Sequence, residues 1–251
     1  MKISIITANH NCGKFLQDCI NSVVQQNYVD YEHIIIDDCS TDKSYRILEK
    51  NAAKYPHIKL LRSSKRMFCG GAYNMVAGHA SGDIVGVLDA DDALSLSAMQ
   101  NIVAIYKANP DVAWIWTQFW FCTDRMKKIT HGVSEYPGNM SLLDAGVLRK
   151  HCFSHWRTYR NSINDGTIFK KSLKSAVDKY MGYRLEELGV GGFVNIPLYY
   201  YRKRIGGLSY KGRQNWKMMK KEFVEKRQKE GIKPYPIKIL SHEYIPWKKL
   251  T

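Results

Sequence analysis

The chain is expected to fold as an open α/β sheet, mostly parallel, with helices on both faces. Three observations predict this. Apolar, β-branched runs of strand length alternate with segments of helical periodicity through the first 121 residues. The runs are long on Ile, Val and Leu, as strands covered on both faces are. Polar residues gather just after the runs, at the carboxyl ends where such sheets bind ligands.

The elements follow in order. Residues 3–8 read as the first strand. Residues 14–26 read as a helix, with Phe15, Leu16, Cys19, Ile20, Val23 and Val24 on its apolar face. Residues 33–36 make a second strand ending on Asp37 and Asp38, and Ser40 caps the helix that carries Tyr45, Leu48 and Ala52. Residues 58–61 form a third strand, 70–80 a helix, and 84–88 a fourth strand. Residues 95–108 form a helix that Asn109-Pro110 stops, and 112–121 form another strand. Beyond 121 the alternation fades. A helix is expected over 167–180 and a strand over 190–201. A basic amphipathic helix with Trp216, Met219, Phe223 and Val224 follows residue 211, and residues 234–246 read as an extended tail.

The composition excludes several classes. The chain of 251 residues has no apolar run long enough to span a bilayer. It opens directly on a strand-like segment without a signal-peptide core, so a cytoplasmic location is expected. Its six cysteines form no C-x-x-C pair and no zinc spacing, and read as reduced, buried thiols. The net charge of +15 calls for an anionic partner: a nucleotide, an acidic glycan, a nucleic acid or a membrane surface.

The run Asp89-Ala90-Asp91-Asp92 follows the fourth strand. Three carboxylates at the end of a buried strand repel one another unless a cation joins them. Hard oxygen ligands suit Mg²⁺ or Mn²⁺, and such ions face phosphates. With Thr7 and Asn9, Asp37 and Asp38, and Arg62 to Arg66 at the other strand ends, four strand ends converge on one rim. No Gly-rich, Lys-containing phosphate loop lies near the N-terminus, which argues against a nucleotidyltransferase.

Several blocks then match a known pattern in order. They are Ile6-Thr7-Ala8-Asn9-His10-Asn11; Ile36-Asp37-Asp38-Cys39-Ser40-Thr41-Asp42; Gly70-Gly71-Ala72-Tyr73-Asn74; and Gly82-Asp83 leading into Leu88-Asp89-Ala90-Asp91-Asp92. Together they resemble the family-two glycosyltransferases. The resemblance implies a GT-A fold over residues 1–210, with a nucleotide-sugar half (1–121) and an acceptor half (122–210), followed by a basic helix and tail (211–251). It implies an inverting transfer from a nucleotide-diphosphate sugar, UDP-sugar favoured, to a hydroxyl of a glycan or lipid-linked acceptor.

The resemblance also distributes roles. Asp38 takes the base or ribose, with Thr7 and Asn9 beside it. Arg66 takes the base or diphosphate. Asp89 contacts ribose or metal, and Asp91 and Asp92 hold the metal. Asp165, in Asn164-Asp165-Gly166, is the expected general base, with Glu186 and Glu187 as runners-up. Arg202 or Arg204, after Leu198-Tyr199-Tyr200-Tyr201, reaches the diphosphate when the loop over 205–209 closes. His151, His155, Trp156, Arg157 and Arg160 suit sugar stacking or phosphate contact. Two other readings compete: a transferase acting on hydroxylated bases in DNA, which the charge favours, and a non-catalytic nucleotide-sugar scaffold. The basic C-terminal helix also suits peripheral contact with anionic lipid.

Overall fold

The computed structural model describes residues 1–147, 152–204 and 213–246. His151, the 205–209 loop and the domain boundary at 210 lie outside the described residues, as do the chemical surroundings of the Trp216 side chain.

One sheet of ten strands organises the chain. Its order is β10-β9-β6-β8-β4-β1-β2-β3, with β5 added to β9 and β7 added to β6. The first four strands are β1 (Ile3–Asn9), β2 (Tyr31–Asp37), β3 (Ile58–Arg62) and β4 (Ile84–Val87), all parallel. The later strands are β5 (Ala93–Leu94), β6 (Trp114–Cys122), β7 (Lys128–His131), β8 (Arg157–Arg160), β9 (Gly191–Arg202) and β10 (Ile237–Ile239). β8 runs antiparallel to both β4 and β6, so the sheet is mixed, as the GT-A expectation has it. The two halves drawn from the sequence thus share one uninterrupted sheet. The expected tail also contributes, because β10 pairs in parallel with the start of β9.

Side-chain alternation sends the strands' apolar residues to both faces. Ile6, Ile34 and Ile36 meet α3 (Phe68–Gly78), α5 (Leu142–Val147), α6 (Val177–Leu185) and α7 (Arg213–Glu230) through Tyr73, Val76, Leu142, Met181 and Phe223. Ile3, Ile5 and Ile35 meet α1 (Leu16–Val24), α2 (Ser44–Lys54) and α4 (Ala98–Ala108). Trp114 and Trp116 stack at 5.6 Å in the first of these layers, fully buried, with Phe153 and Phe193 against them. Each such ring contributes roughly 2–3 kcal/mol by leaving water.

Two local expectations change. Ser40 does not cap α2: its hydroxyl receives the amide of Asn11 and the side chain of Asn9, and Asp42 Oδ1 receives the Ser44 amide instead. The helix expected over 167–180 begins only at Val177. Ala176, at φ 57°, breaks the helical path just before it. A non-glycine residue there is strained, and such strain clusters at functional sites. Among the described residues no helix is long and apolar enough to cross a membrane.

Candidate active site

Parallel β1, β2, β3 and β4 end on the same rim of the sheet, and their following loops carry the polar residues read from the sequence. Asn9 closes β1. Its Nδ2 donates to Asp37 Oδ1 at 2.9 Å and to Ser40 Oγ at 3.1 Å, while its buried Oδ1 has no hydrogen-bond partner among the described residues. Asp38 follows β2. One of its oxygens receives the Met67 amide (2.7 Å) and the Ser63 hydroxyl (3.0 Å), and the other pairs with Arg66. Asn9, Asp38 and Arg66 are therefore brought together at one end of the rim.

Thr7 is not. Its side chain is fully buried, and Oγ1 shares a 2.9 Å hydrogen bond with His33 Nε2 inside the sheet layer. Residue 7 shares a sheet face with Asn9 but stands two positions short of the strand end, in the covered part of the sheet, which corrects the expectation of a base contact.

The acidic run follows β4. Asp89 Oδ1 accepts the Tyr73 hydroxyl at 2.5 Å. Asp89 Oδ2 faces Arg157 Nη2 at 3.2 Å and His155 Nε2 at 3.6 Å, delivered by the start of β8. Burial alone would raise the Asp89 carboxyl, but the His155 hydrogen bond and the Arg157 charge outweigh it and hold it below the usual range. Burial, reinforced by Arg157, lowers His155, while the Asp89 carboxylate works the other way.

Asp92 is buried. Its Oδ2 accepts the Tyr199 hydroxyl at 2.8 Å and its Oδ1 the Arg202 amide at 2.7 Å. Burial raises it well above the usual carboxylate range, and the charges of Asp91 and Asp89 push the same way. Asp91 is raised as well, chiefly by burial, although Arg204 Nε lies 2.7 Å from its Oδ2. The cluster is thus short of positive charge. Ligand atoms of Asp89, Asp92 and His155 all lie within 4.8 Å of one another. Two carboxylates and an imidazole suit Mn²⁺ or Mg²⁺, so the residues present fit a divalent ion. The geometric cluster contains Asp92 of the two expected ligands. It replaces Asp91, which Arg204 engages, with Asp89 and His155.

Arg202 needs correction. Its guanidinium is buried and directed inward: Nε donates to the Asp91 carbonyl at 2.6 Å, Nη2 to Asp18 at 2.8 Å, and Nη1 to the Asp124 carbonyl. It braces the acidic run rather than facing a diphosphate. Trp156 is likewise fully buried, packed where Gly86 leaves space, and Arg160 is held by the carbonyls of Tyr106, Asn109 and Val112. Of that group, His155 and Arg157 reach the site.

Asp165 does not reach it. The segment after β8 leaves from the opposite end of the sheet: Arg160 pairs with Ile84, at the start of β4, and Asn164 bonds Ala77 near the C-terminal end of α3. Asp165 accepts from Thr167 (2.6 and 2.9 Å) and from Arg184 (2.7 Å). Burial raises its carboxyl slightly, but the Thr167 and Arg184 bonds win and lower it, which weakens it as a base. The runners-up are structural too. Glu186 is fully buried between the Leu142 amide and Arg227, and Glu187 holds Arg184, Lys226 and Arg227.

Asp178 is the acid that sequence reasoning missed. It stands in the first turn of α6, immediately after the left-handed Ala176. Its charge acts on Arg157, His155 and Cys69, the groups around Asp89, and among the described residues no hydrogen bond or ion pair engages its carboxylate. The segment 164–173 climbs along α3 to deliver it: Asn164 bonds Ala77, Asn74 bonds the Gly166 carbonyl, and the Gly70 amide bonds the Leu173 carbonyl. The available signal was an acid near a helix start, obscured because the helix was expected to begin ten residues earlier.

A mixed sheet with a carboxylate cluster at the fourth strand end, the Asn9, Asp38 and Arg66 side chains on the same rim and an acid at the start of α6 has the architecture of a nucleotide-sugar transferase. Residues 4–174 match the family described as Glycosyl transferase family 2, and the chain belongs to it. It is 27% identical over 193 residues to the chondroitin synthase of Escherichia coli, covering 77% of this chain and 28% of that protein. It is also 27% identical over 193 residues to the poly(ribitol-phosphate) beta-N-acetylglucosaminyltransferase TarS of Staphylococcus aureus, covering 71% of this chain and 31% of that protein. The chain thus spans about a third of the length of these relatives. Its fold superposes on the crystal structure of TarS 1-349 in complex with UDP-GlcNAc with a TM-score of 0.69 at 22% identity, covering 84% of this chain and 61% of that one. The mannosyltransferase PcManGT of Pyrobaculum calidifontis, in complex with GDP-Man and Mn²⁺, matches with a TM-score of 0.60 at 15% identity, covering 92% and 64%. The fold is therefore GT-A.

Proposed function

We propose that the chain transfers a sugar from a UDP-sugar to a hydroxyl of a saccharide acceptor, with inversion at the anomeric carbon. The observation that carries this is the Asp89–Asp92–His155 cluster at the fourth strand end, with Arg66 and Asp38 on the same rim and Asp178 near enough for its charge to act on Arg157 and His155. Asn9 and Asp38 hold the base and ribose end of the donor, with the unpaired Asn9 Oδ1 as an acceptor for a base N–H. Asp89, Asp92 and His155 would hold a divalent ion. Such an ion, when bound, would supply Lewis-acid charge for the departing nucleoside diphosphate. Arg157 fixes the Asp89 carboxylate.

Asp178 accepts the proton of the acceptor hydroxyl. That oxygen bonds to the anomeric carbon as the bond from this carbon to the phosphate oxygen breaks, and the electron pair leaves with the diphosphate. One displacement inverts the centre, so no nucleophilic side chain is required. The UDP-GlcNAc complex of TarS supports a UDP-sugar donor, and the name of the chondroitin synthase supports a saccharide acceptor. The deciding experiment is a panel of UDP- and GDP-sugars incubated with the protein and Mn²⁺, with nucleoside diphosphate release and product anomer read by NMR. Release from a UDP-sugar that EDTA stops, with an inverted product, is the expected result. No release from any donor overturns the reading.

A further inference from the structure

The ends of β6 and β9 carry a line of aromatic rings that begins at the site and runs out to the surface. His155, the neighbour of Asp89, packs on Tyr199 at 4.6 Å, on Tyr201 at 5.0 Å and on Phe119 at 5.6 Å. Tyr201 packs on Phe121 at 5.7 Å, and the exposed Lys203 places its Nζ 4.4 Å from the Phe121 ring centre. The other face of the same strand ends repeats the arrangement. Trp120 packs on His131, and Lys128 lies 4.8 Å from the Trp120 ring and 5.3 Å from the Tyr200 ring.

The β6–β7 hairpin that carries these rings is basic. Between Thr123 and His131 it holds Arg125, Lys127 and Lys128 against Asp124, and Lys14 neutralises that acid at 2.8 Å. The hairpin is anchored to the site itself. The Lys203 amide bonds the Cys122 carbonyl at 2.9 Å, and the neighbouring Arg202 joins Asp92, the Asp91 carbonyl and the Asp124 carbonyl. The anchored hairpin thus sets Arg125, Lys127 and Lys128 at the end of β6, next to the acidic run, with its one acid already paired.

The proposed sugar transfer gives this strip its meaning, and the following rests on that reading. We infer that the β6–β7 hairpin and the end of β9 form the acceptor subsite, and that they bind a saccharide chain bearing anionic groups. The carboxylates or phosphodiesters of such a chain meet the ammonium groups of Lys127, Lys128 and Lys203, two of which the Trp120 and Phe121 rings hold in place. Nucleic acid is disfavoured by the distribution of charge. On α7, among the described residues, Glu186 and Glu187 take Arg227 and Lys226, and Glu225 pairs with Lys221. These pairs remove charge from the cationic track that a phosphate backbone would follow.

The test measures binding to the whole protein by fluorescence anisotropy at low and moderate salt. The probes are a hyaluronan octasaccharide, a ribitol-phosphate octamer, a neutral cello-oligosaccharide and an eight-nucleotide single-stranded DNA. At least one anionic saccharide chain should bind about tenfold more tightly than the neutral one, with the advantage shrinking as salt rises. Which of the two wins identifies carboxylate or phosphodiester as the charge recognised. Phe121→Ala, and separately Lys128→Gln with Lys203→Gln, should weaken that binding about tenfold while the melting temperature and UDP affinity hold. Equal affinity for neutral and anionic chains overturns the inference, as does tighter binding of DNA or unchanged binding in both variants. Absence of UDP-sugar binding in the parent protein instead defeats the underlying function, and is read in a separate donor titration.

Discussion

The Tyr199 hydroxyl bridges the two ends of the acidic run: it donates to Asp92 Oδ2 at 2.8 Å and accepts the Asp89 amide at 3.2 Å. One phenol on β9 therefore fixes the spacing of two carboxylates that follow β4. Tyr199 is fully buried, so no water replaces it. Tyr199→Phe leaves a buried carboxylate oxygen and a backbone amide without partners, which costs about 1–3 kcal/mol. Because the ligand cluster loses its brace, Mn²⁺ affinity should fall about tenfold. Urea unfolding and Mn²⁺ titration by EPR measure the two effects. Wild-type Mn²⁺ affinity in a folded Tyr199→Phe protein would show that the phenol does not position the run.

Asp178 and Asp165 separate cleanly by substitution. Asp178→Asn keeps the shape of the first turn of α6 and removes the proton acceptor, so turnover should fall by at least about 10²-fold with donor affinity nearly unchanged. Asp165→Asn loosens the Arg184 and Thr167 contacts on the outer side of α3 and should keep turnover within a few-fold of the parent. Parallel kcat and donor-binding measurements on both variants decide the assignment. The reverse ranking would return the base to Asp165.

The strands, their parallel order and the rim on which Asn9, Asp38 and Asp89 to Asp92 stand were legible because strand periodicity and the acidic run are local signals. Arg66 was legible for the same reason, lying just past β3 and reaching Asp38. What failed was side-chain direction and long-range pairing. Thr7 stands two residues short of the end of β1, inside the covered part of the sheet, which a strand of uniform burial does not advertise. Arg202 turns inward because Asp18 and Asp124, both distant in sequence, meet it there. Asp178 reaches the site through the segment along α3, where no periodicity marked an element, whereas His155 was already among the residues singled out before β8. The displaced start of α6 hid Asp178 behind the more familiar Asn164-Asp165-Gly166.

Gly70 controls the path that brings α6 to the site. Its amide donates to the Leu173 carbonyl at 2.9 Å, and a Cβ there would stand 2.8 Å from that oxygen and closer still to the Lys170 carbonyl. Both obstacles are backbone, so neither yields cheaply. Gly70→Ala should push the 170–173 segment outward, destabilise the fold by about 1–3 kcal/mol and lower kcat more than donor affinity, because Asp178 moves with the segment. Gly78, around which a Cβ meets nothing, is the control: Gly78→Ala lies two turns along the same helix and should leave kcat unchanged. Equal kcat in both variants would mean that the segment does not set the position of Asp178.

Glu32 gives the fold its acid dependence at the end of the sheet remote from the rim. Its carboxylate receives Ser4 Oγ at 2.6 Å, the Ser81 amide and hydroxyl at 2.8 Å each, and Lys59 Nζ at 2.6 Å. Burial alone would raise it, but the Lys59, Ser4 and Ser81 bonds prevail and bring it down to about 2 from an ordinary 4.5. A depressed carboxyl stabilises the folded state fully above the unfolded value and loses that contribution as pH falls through the folded one. Stability from this group is therefore complete above about pH 5 and declines towards about pH 2. Lys59 is half exposed, so solvent screening reduces the contribution to about 1–2 kcal/mol. Glu32→Gln should cost that much at pH 7 in urea unfolding, and the gap to the parent should close as pH approaches 2. A gap that stays constant from pH 7 to pH 3 would assign the loss to packing rather than to the charge.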